Sequence, residues 1–350
     1  MSLSLAQVKK ATANFDPAHK LAEGAFGAVF RGELEGGVAV AIKALTKVDD
    51  GDDDGGDYSG AGSFALEAKV LGQYRHANIV QLVGHCLGDG PGQHSYLAYE
   101  FMAGGSLFER LHCPTTGKGK GSKGSKGSKG KTIKPLTWQQ RHVIASDAAR
   151  GLEYLHVTAD PPIIHQDIKT DNILLGEYQG HLVAKIADFG AVRIAPTLLT
   201  NTHLSAREVI GTKPYQPPEY AGQGHVSEKT DTFAFGVVLL ELLTGQPPRN
   251  GDTNEFLYSE QEPMLQDPRA KLPPRIDARA GPWPLRSALA LATIAKQCLE
   301  MHARNRCAVR EVLVELDVLA GRKAIRRAGR GEEYDPDTGK LVRLSSSSFR

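Results

Sequence analysis

From Phe233 to Leu243 the chain reads as a helix that is apolar nearly all round, opened by Thr230-Asp231 and closed by Thr244-Gly245-Gln246-Pro247-Pro248. A helix of that kind must be enclosed by other protein, because no face of it is left for water. It is also far too short to cross a bilayer. At 350 residues and 41% hydrophobic content, the chain has enough apolar surface for one large core or two smaller ones around such a helix.

The other elements divide by position. Residues 27–43 read as extended: Ala28-Val29-Phe30 precedes a turn at Gly36-Gly37, and Val38 to Ile42 follows as a run of small and branched residues, which suits an antiparallel hairpin. Ser63 is placed to cap a helix beginning at Phe64, with Phe64, Glu67, Ala68 and Leu71 on one face. A carboxylate on an apolar face either reaches solvent or finds a partner, since an unpaired buried charge is costly, and Glu67 is open to both readings. Later, Trp138 to His156 is helical with Ile144, Ala148, Leu152 and Leu155 aligned, and further helices are expected at 285–301 and 307–319. Strands first and helices second predict an α+β protein with two lobes.

Net charge is small, but charge is unevenly placed. Formal net charge is +2, so no bulk field argues for nucleic acid as a partner. Six aspartates fall within residues 49–57, in an expected acidic loop over 49–62. Residues 114–135 repeat Gly-Ser-Lys and carry little that could be buried, so they are expected to be disordered, as a solvated linker or as a docking strip for acidic partners or anionic lipid. The basic, Ser-rich tail over 320–350 is expected to be disordered as well. Cys86, Cys113, Cys298 and Cys307 lack C-x-x-C spacing, which suits reduced thiols in a cytosolic protein and argues against a metal site. The opening Met1-Ser2 shows no charged-then-apolar leader and no glycine in second place, so neither a signal peptide nor a myristoyl anchor is expected.

Four short sequences then follow in order. Ala22-Glu23-Gly24-Ala25-Phe26-Gly27-Ala28-Val29 leads to Val40-Ala41-Ile42-Lys43, where a glycine-rich turn would let backbone approach phosphates and a lysine would add positive charge. Glu67 lies about two dozen residues on, within reach of an ion pair with Lys43. His165-Gln166-Asp167-Ile168-Lys169-Thr170-Asp171-Asn172 packs a proton acceptor, a cation and a metal ligand into eight residues, and Asp188-Phe189-Gly190 follows. Each is weak alone; the ordered set is specific.

From about Asn14 to Leu319 the chain resembles a eukaryotic protein kinase. Lys10-Ala11-Thr12-Ala13-Asn14-Phe15, His76 to Gly84, Gly104-Gly105-Ser106-Leu107 and Phe235 to Leu242 make it similar to the plant receptor-like and animal Pelle-type group. That resemblance implies a bilobal fold, with an N-lobe at 14–102 (a small antiparallel sheet and one key helix) and a larger helical C-lobe at 103–319. Residues 1–13 would be a flank. It further implies ATP and Mg²⁺ as cofactors. The nucleotide would be held by Ala22, Gly24, Gly27, Val29, Ala41, Lys43, Leu174 and the hinge from Glu100 to Met102, with Tyr99 as gatekeeper. Asn172 and Asp188 would ligate the metal, Lys43 would be paired with Glu67, Asp167 would take the hydroxyl proton and Lys169 would neutralise the γ-phosphate. Glu219 would pair with Arg306, Asp231 would accept backbone N–H groups, and His165 would pack beneath Phe189.

The Asp167-x-Lys169 order, with Thr212 in Gly211-Thr212-Lys213-Pro214-Tyr215, resembles serine/threonine-specific members. Protein substrates with Ser/Thr acceptors, an upstream receptor or adaptor, and a cytoplasmic location with peripheral membrane association through partners or basic segments are the implied context. Three positions depart from the family pattern: Ala22 for the first loop glycine, Pro217 for alanine, and Gln166 for the arginine before the catalytic aspartate. Without that arginine, no guanidinium awaits an activation-loop phosphate. The alternative is a catalytically weak pseudokinase serving as a nucleotide-binding scaffold.

Overall fold

The computed structural model describes residues 1–24, 27–45, 60–88, 94–112, 134–194, 204–205, 211–223, 225–322, 332–334 and 341–343. Helix α1 (Leu5–Ala11) precedes strands β1 (Lys20–Gly24), β2 (Gly27–Leu34) and β3 (Val38–Leu45), then helix α2 (Gly60–Gln73) and strands β4 (Leu82–Cys86) and β5 (Ser95–Glu100). The five strands form an antiparallel sheet in the order β1-β2-β3-β5-β4. Register sorts its side chains. Val29 pairs with Lys43, Ala22 with Val29 and Ala41 with Tyr99, so these residues share one face. Val40, Ile42, Tyr96 and Ala98 share the other, where they pack with Leu3, Val8 and Ala11. Residues 1–13, set apart as a flank by sequence, thus supply part of the lobe's core; Leu3 N–H donates to His85 O at 2.8 Å and His85 N–H to Met1 O at 3.0 Å.

Helix α2 starts at Gly60, one turn before the expected Phe64, so Ser63 lies inside the helix and is not its cap. The apolar pattern begins only where the helix meets the core, whereas backbone hydrogen bonding carries it further back. The rest of the expected acidic loop, and the Gly-Ser-Lys segment except residues 134 and 135, lie outside the described residues.

The helical lobe comprises α3 (Leu107–His112), α4 (Trp138–Glu153), β6 (Ile163–Ile164), β7 (Ile173–Tyr178), β8 (His181–Ile186), β9 (Arg193–Ile194), β10 (Leu204–Ser205), α5 (Pro218–Gln223), β11 (His225–Val226), α6 (Glu228–Thr244), α7 (Leu257–Glu260), α8 (Glu262–Gln266), α9 (Pro268–Lys271), α10 (Leu285–Cys298) and α11 (Val309–Leu319). The expected all-apolar helix is α6. Ser227 Oγ caps it by accepting Lys229 N–H at 3.2 Å, Gly245 closes it at φ 66°, and every residue from Thr230 to Thr244 is buried. It packs against α4 and α10, and α11 packs on α4. At Gly236 the end of α10 comes so close that a Cβ would sit 2.8 Å from Leu299 Cγ and 2.9 Å from Cys298 Cβ. Helix α4 runs into a π turn, Tyr154–Thr158, shorter as α-helix than the sequence suggests.

The tail departs from expectation. Arg322 donates to Ser146 Oγ and Asp147 Oδ1, both at 2.7 Å, and β12 (Glu332–Tyr334) pairs antiparallel with β13 (Leu341–Arg343). The remaining tail residues lie outside the described set.

Arg306 joins α5, through Glu219, to the base of this lobe. Its guanidinium donates to Glu219 Oε1 at 2.6 Å and Oε2 at 3.2 Å, and to the carbonyls of Glu300 and Lys229 at 2.9 and 2.7 Å. The Arg306 side chain has no exposure to solvent and that of Glu219 keeps 18%. Arg306→Ala therefore strands a largely desolvated carboxylate and two carbonyls. Denaturant unfolding is expected to show a loss of about 3–5 kcal/mol; an unchanged midpoint would mean that the pair contributes nothing.

Candidate active site

Three side chains meet where the lobes face one another. Lys43 Nζ donates to Glu67 Oε2 at 3.1 Å and to Asp188 Oδ1 at 2.7 Å. Burial pulls the Lys43 pKa down, but its two carboxylate neighbours outweigh burial and raise it, so the ammonium stays charged. Burial pushes Asp188 up, and Lys43 more than reverses this, holding the carboxyl below its ordinary range. Glu67 does not reach solvent: it is fully buried and accepts from Tyr99 OH at 2.6 Å and Phe189 N–H at 3.2 Å. Burial, and then Glu67, raise the Tyr99 pKa, so the phenol remains a donor.

The second cluster lies on the loop after β6. Lys169 Nζ donates to Asp167 Oδ2 at 2.6 Å and to Thr212 Oγ1 at 3.0 Å, while Thr212 Oγ1 donates to Asp167 Oδ1 at 3.0 Å. Asn172 Nδ2 donates to Asp167 O at 2.8 Å and Oδ2 at 3.0 Å. That fixes the amide so that Oδ1 is the atom it has to offer. The two clusters are tied by Ala187, whose N–H donates to Asn172 O at 2.8 Å and whose carbonyl accepts from His165 Nε2 at 3.1 Å. The His165 ring meets Phe189 edge-on, with centroids 5.0 Å apart. Gly27, at φ 120°, lies across from Gly24 in the β1–β2 hairpin, and a Cβ there would collide with Ala44 O. Residues 25 and 26, at the tip of that hairpin, lie outside the described residues.

A buried lysine thus lies between two carboxylates, and a loop aspartate is held by a second lysine and an amide. The protein kinase domain family matches residues 15–315. The chain belongs to the protein kinase family. Among its curated relatives in Arabidopsis thaliana, the probable serine/threonine-protein kinase PBL23 is 36% identical over 341 residues, covering 95% of this chain and 80% of the relative. The probable serine/threonine-protein kinase PBL5 is 35% identical over 349 residues, 98% of this chain and 72% of that one. The serine/threonine-protein kinase PBL27 is 35% identical over 340 residues, 95% of this chain but 60% of its own length. The expectation of a serine/threonine-protein kinase resembling the plant receptor-like group is borne out.

The hinge and β7 residues expected at the nucleotide are fixed by further bonds, and Glu241 is a residue that sequence reasoning passed over. Glu100 of the hinge accepts from Lys185 Nζ at 2.7 and 2.9 Å and from Gln81 N–H at 2.8 Å, so its side chain ties the hinge to β8. Met102 O accepts from Gly105 N–H at 3.2 Å. Leu174 sits on β7, bridged to Ser106. Glu241, near the end of α6, accepts from Tyr215 OH at 2.7 Å, His112 Nε2 at 2.8 Å and Thr170 Oγ1 at 3.0 Å. The signal for it was available: a carboxylate within an otherwise apolar helix must find donors. Among the described residues no cluster of His, Cys, Asp and Glu has the makings of a separate metal site, and no helix is long and apolar enough to cross a membrane.

Tyr99→Phe removes one charge-assisted bond to Glu67 and leaves those from Lys43 and Phe189. Steady-state kinetics should show a fall of about tenfold in kcat/KM for ATP. Unaltered kinetics would mean that the remaining two bonds suffice to hold Glu67.

Proposed function

We propose that this kinase transfers the γ-phosphoryl group of Mg·ATP to serine and threonine hydroxyls of protein substrates, with Asp167 as the proton acceptor. The observation that carries the reading is Lys43, held at 3.1 Å by Glu67 and at 2.7 Å by Asp188 in one cleft with Asp167. A pseudokinase scaffold has no need to keep all of these groups bonded together.

Asp167 is oriented by Lys169, Thr212 and Asn172, so that it meets the acceptor hydroxyl and takes its proton as the new O–P bond forms. The bond from the γ-phosphorus to the β–γ bridging oxygen breaks, and ADP leaves. Lys169 would balance charge on the transferring group, and Lys43 would hold the α- and β-phosphates. Asp188 Oδ and Asn172 Oδ1 are hard oxygen donors, one of them anionic, a set suited to Mg²⁺. When bound there, the metal neutralises phosphate charge. Ala22, Val29 and Ala41 share the face that carries Lys43, and they would line the nucleotide together with Gly24, Gly27, Leu174, Met102 and the backbone of Glu100. Cytoplasmic residence downstream of a receptor or adaptor completes the reading; a relative named as a probable receptor-like protein kinase supports the link to a receptor.

Asp167→Asn keeps the shape and removes the proton acceptor. Phosphoryl transfer to a peptide should fall by about two to four orders of magnitude while the melting temperature stays close to wild type. A purified Asn variant as fast as wild type would remove Asp167 from this role.

Gln166 bears on control. It sits at φ 67° with its Nε2 donating to Tyr220 OH at 3.4 Å, and it brings no charge for a loop phosphate to balance. Of the loop acceptors Thr197, Thr200, Thr202 and Ser205, only Ser205 lies within the described residues, in β10. Changing all four to Ala should leave most of the activity on one peptide at saturating ATP. A drop of about a hundredfold would show that phosphorylation switches the loop despite Gln166.

A further inference from the structure

At the base of the helical lobe Cys298 ends α10 and Cys307 lies just before α11, with their sulfurs 3.7 Å apart. The turn between them brings this about: Cys307 N–H donates to Gln297 O at 3.4 Å, and Arg306 folds its guanidinium back onto Glu300 O at 2.9 Å. The two thiols are unequal. Cys298 is fully buried, with its Cβ against Gly236 of α6, whereas Cys307 is half-buried. The contact between the two sulfurs pushes Cys298 up and draws Cys307 down; burial adds to the first shift and opposes the second, which the Lys229 cation reinforces. Lys229 is held close by its 2.9 Å bond to Arg306 O. Neither cysteine takes part in the chemistry of the cleft.

We propose that Cys298 and Cys307 form a reversible oxidation site that reacts with a hydroperoxide and closes to a disulfide. The Cys307 thiolate attacks the peroxide O–O bond, forming an S–O bond and releasing hydroxide, which takes a proton from solvent. The Cys298 sulfur then attacks the Cys307 sulfur. The S–S bond forms, the S–O bond breaks, and the hydroxyl leaves with the Cys298 proton as water. The two sulfurs lose two electrons, and one hydrogen peroxide becomes two waters. Closing requires the sulfurs to approach from 3.7 Å to about 2.05 Å. Cys298 is backed by Gly236, so the movement falls on Cys307 and the turn that carries Arg306. The oxidised ring would thus enclose the residue that anchors Glu219.

The test exposes the full chain to hydrogen peroxide in slight molar excess, blocks remaining thiols with N-ethylmaleimide and digests with trypsin without reduction. Cleavage after Lys296, Arg304, Arg306 and Arg310 leaves Cys298 in peptide 297–304 and Cys307 in peptide 307–310. The expected product is these two peptides joined, lost again on treatment with dithiothreitol. In Cys298→Ala, Cys307 should instead stop as a sulfenic acid that dimedone traps. Maleimide on both cysteines of the oxidised wild type would overturn the proposal. So would Cys307 joined to Cys86 or Cys113, or dimedone labelling of Cys307 as strong in wild type as in Cys298→Ala.

Discussion

Helix α6 carries two carboxylates into the centre of the helical lobe, and the loop that holds Asp167 is suspended between them. Asp231 at its first turn accepts from His165 N–H at 2.7 Å, Gln166 N–H at 2.8 Å and His156 Nε2 at 2.8 Å. Glu241 near its last turn holds Thr170, three residues beyond Asp167, together with Tyr215 and His112. Both carboxylates are buried, a state that persists only when donors replace the lost water. Burial raises the Glu241 pKa, and the bonds from His112, Tyr215 and Thr170 oppose that rise. The loop therefore cannot drift without stranding charge in the core. The left-handed backbone of Gln166 is offset by the bond that its N–H makes to Asp231.

Glu67 does the corresponding work between the lobes. Its carboxylate takes donors from β3 (Lys43), β5 (Tyr99) and the segment after β8 (Phe189). Displacing any one of these elements leaves a buried carboxylate short of a partner, so the placement of α2, the sheet and Asp188 is set jointly. Lys43 extends the same arrangement to Asp188, which itself sits at φ 65°. Charge, burial and backbone geometry thus converge on the position where phosphates would lie.

Much of this was legible in the chain. The order of Lys43, Glu67, Asp167, Lys169, Asn172 and Asp188 identified the family, and the apolar run in α6 announced a buried central helix. Glu219 with Arg306, and Asp231 with the backbone near His165, followed from the resemblance and are met in the structure. Element ends were less legible. The sequence pattern puts a cap at Ser63 although α2 begins at Gly60, because side-chain pattern marks where a helix is buried and not where its hydrogen bonds start. Residues 1–9 carry no motif, yet Leu3 and Val8 join Ala11 in filling the outer face of the sheet.

The sequence by itself determined the residue types and their order along the chain: which groups are acids, which are cations, and which segments have nothing to bury. Periodicity left Glu67 open between water and a partner, and only the resemblance paired it with Lys43; neither said that Thr212 would bond Asp167, 45 residues before it, and Lys169, 43 before it. The bonds themselves, and the burial that makes them obligatory, belong to tertiary structure. A carboxylate or hydroxyl has no preferred partner in a linear pattern; it acquires one when packing removes water and leaves a single donor within about 3 Å.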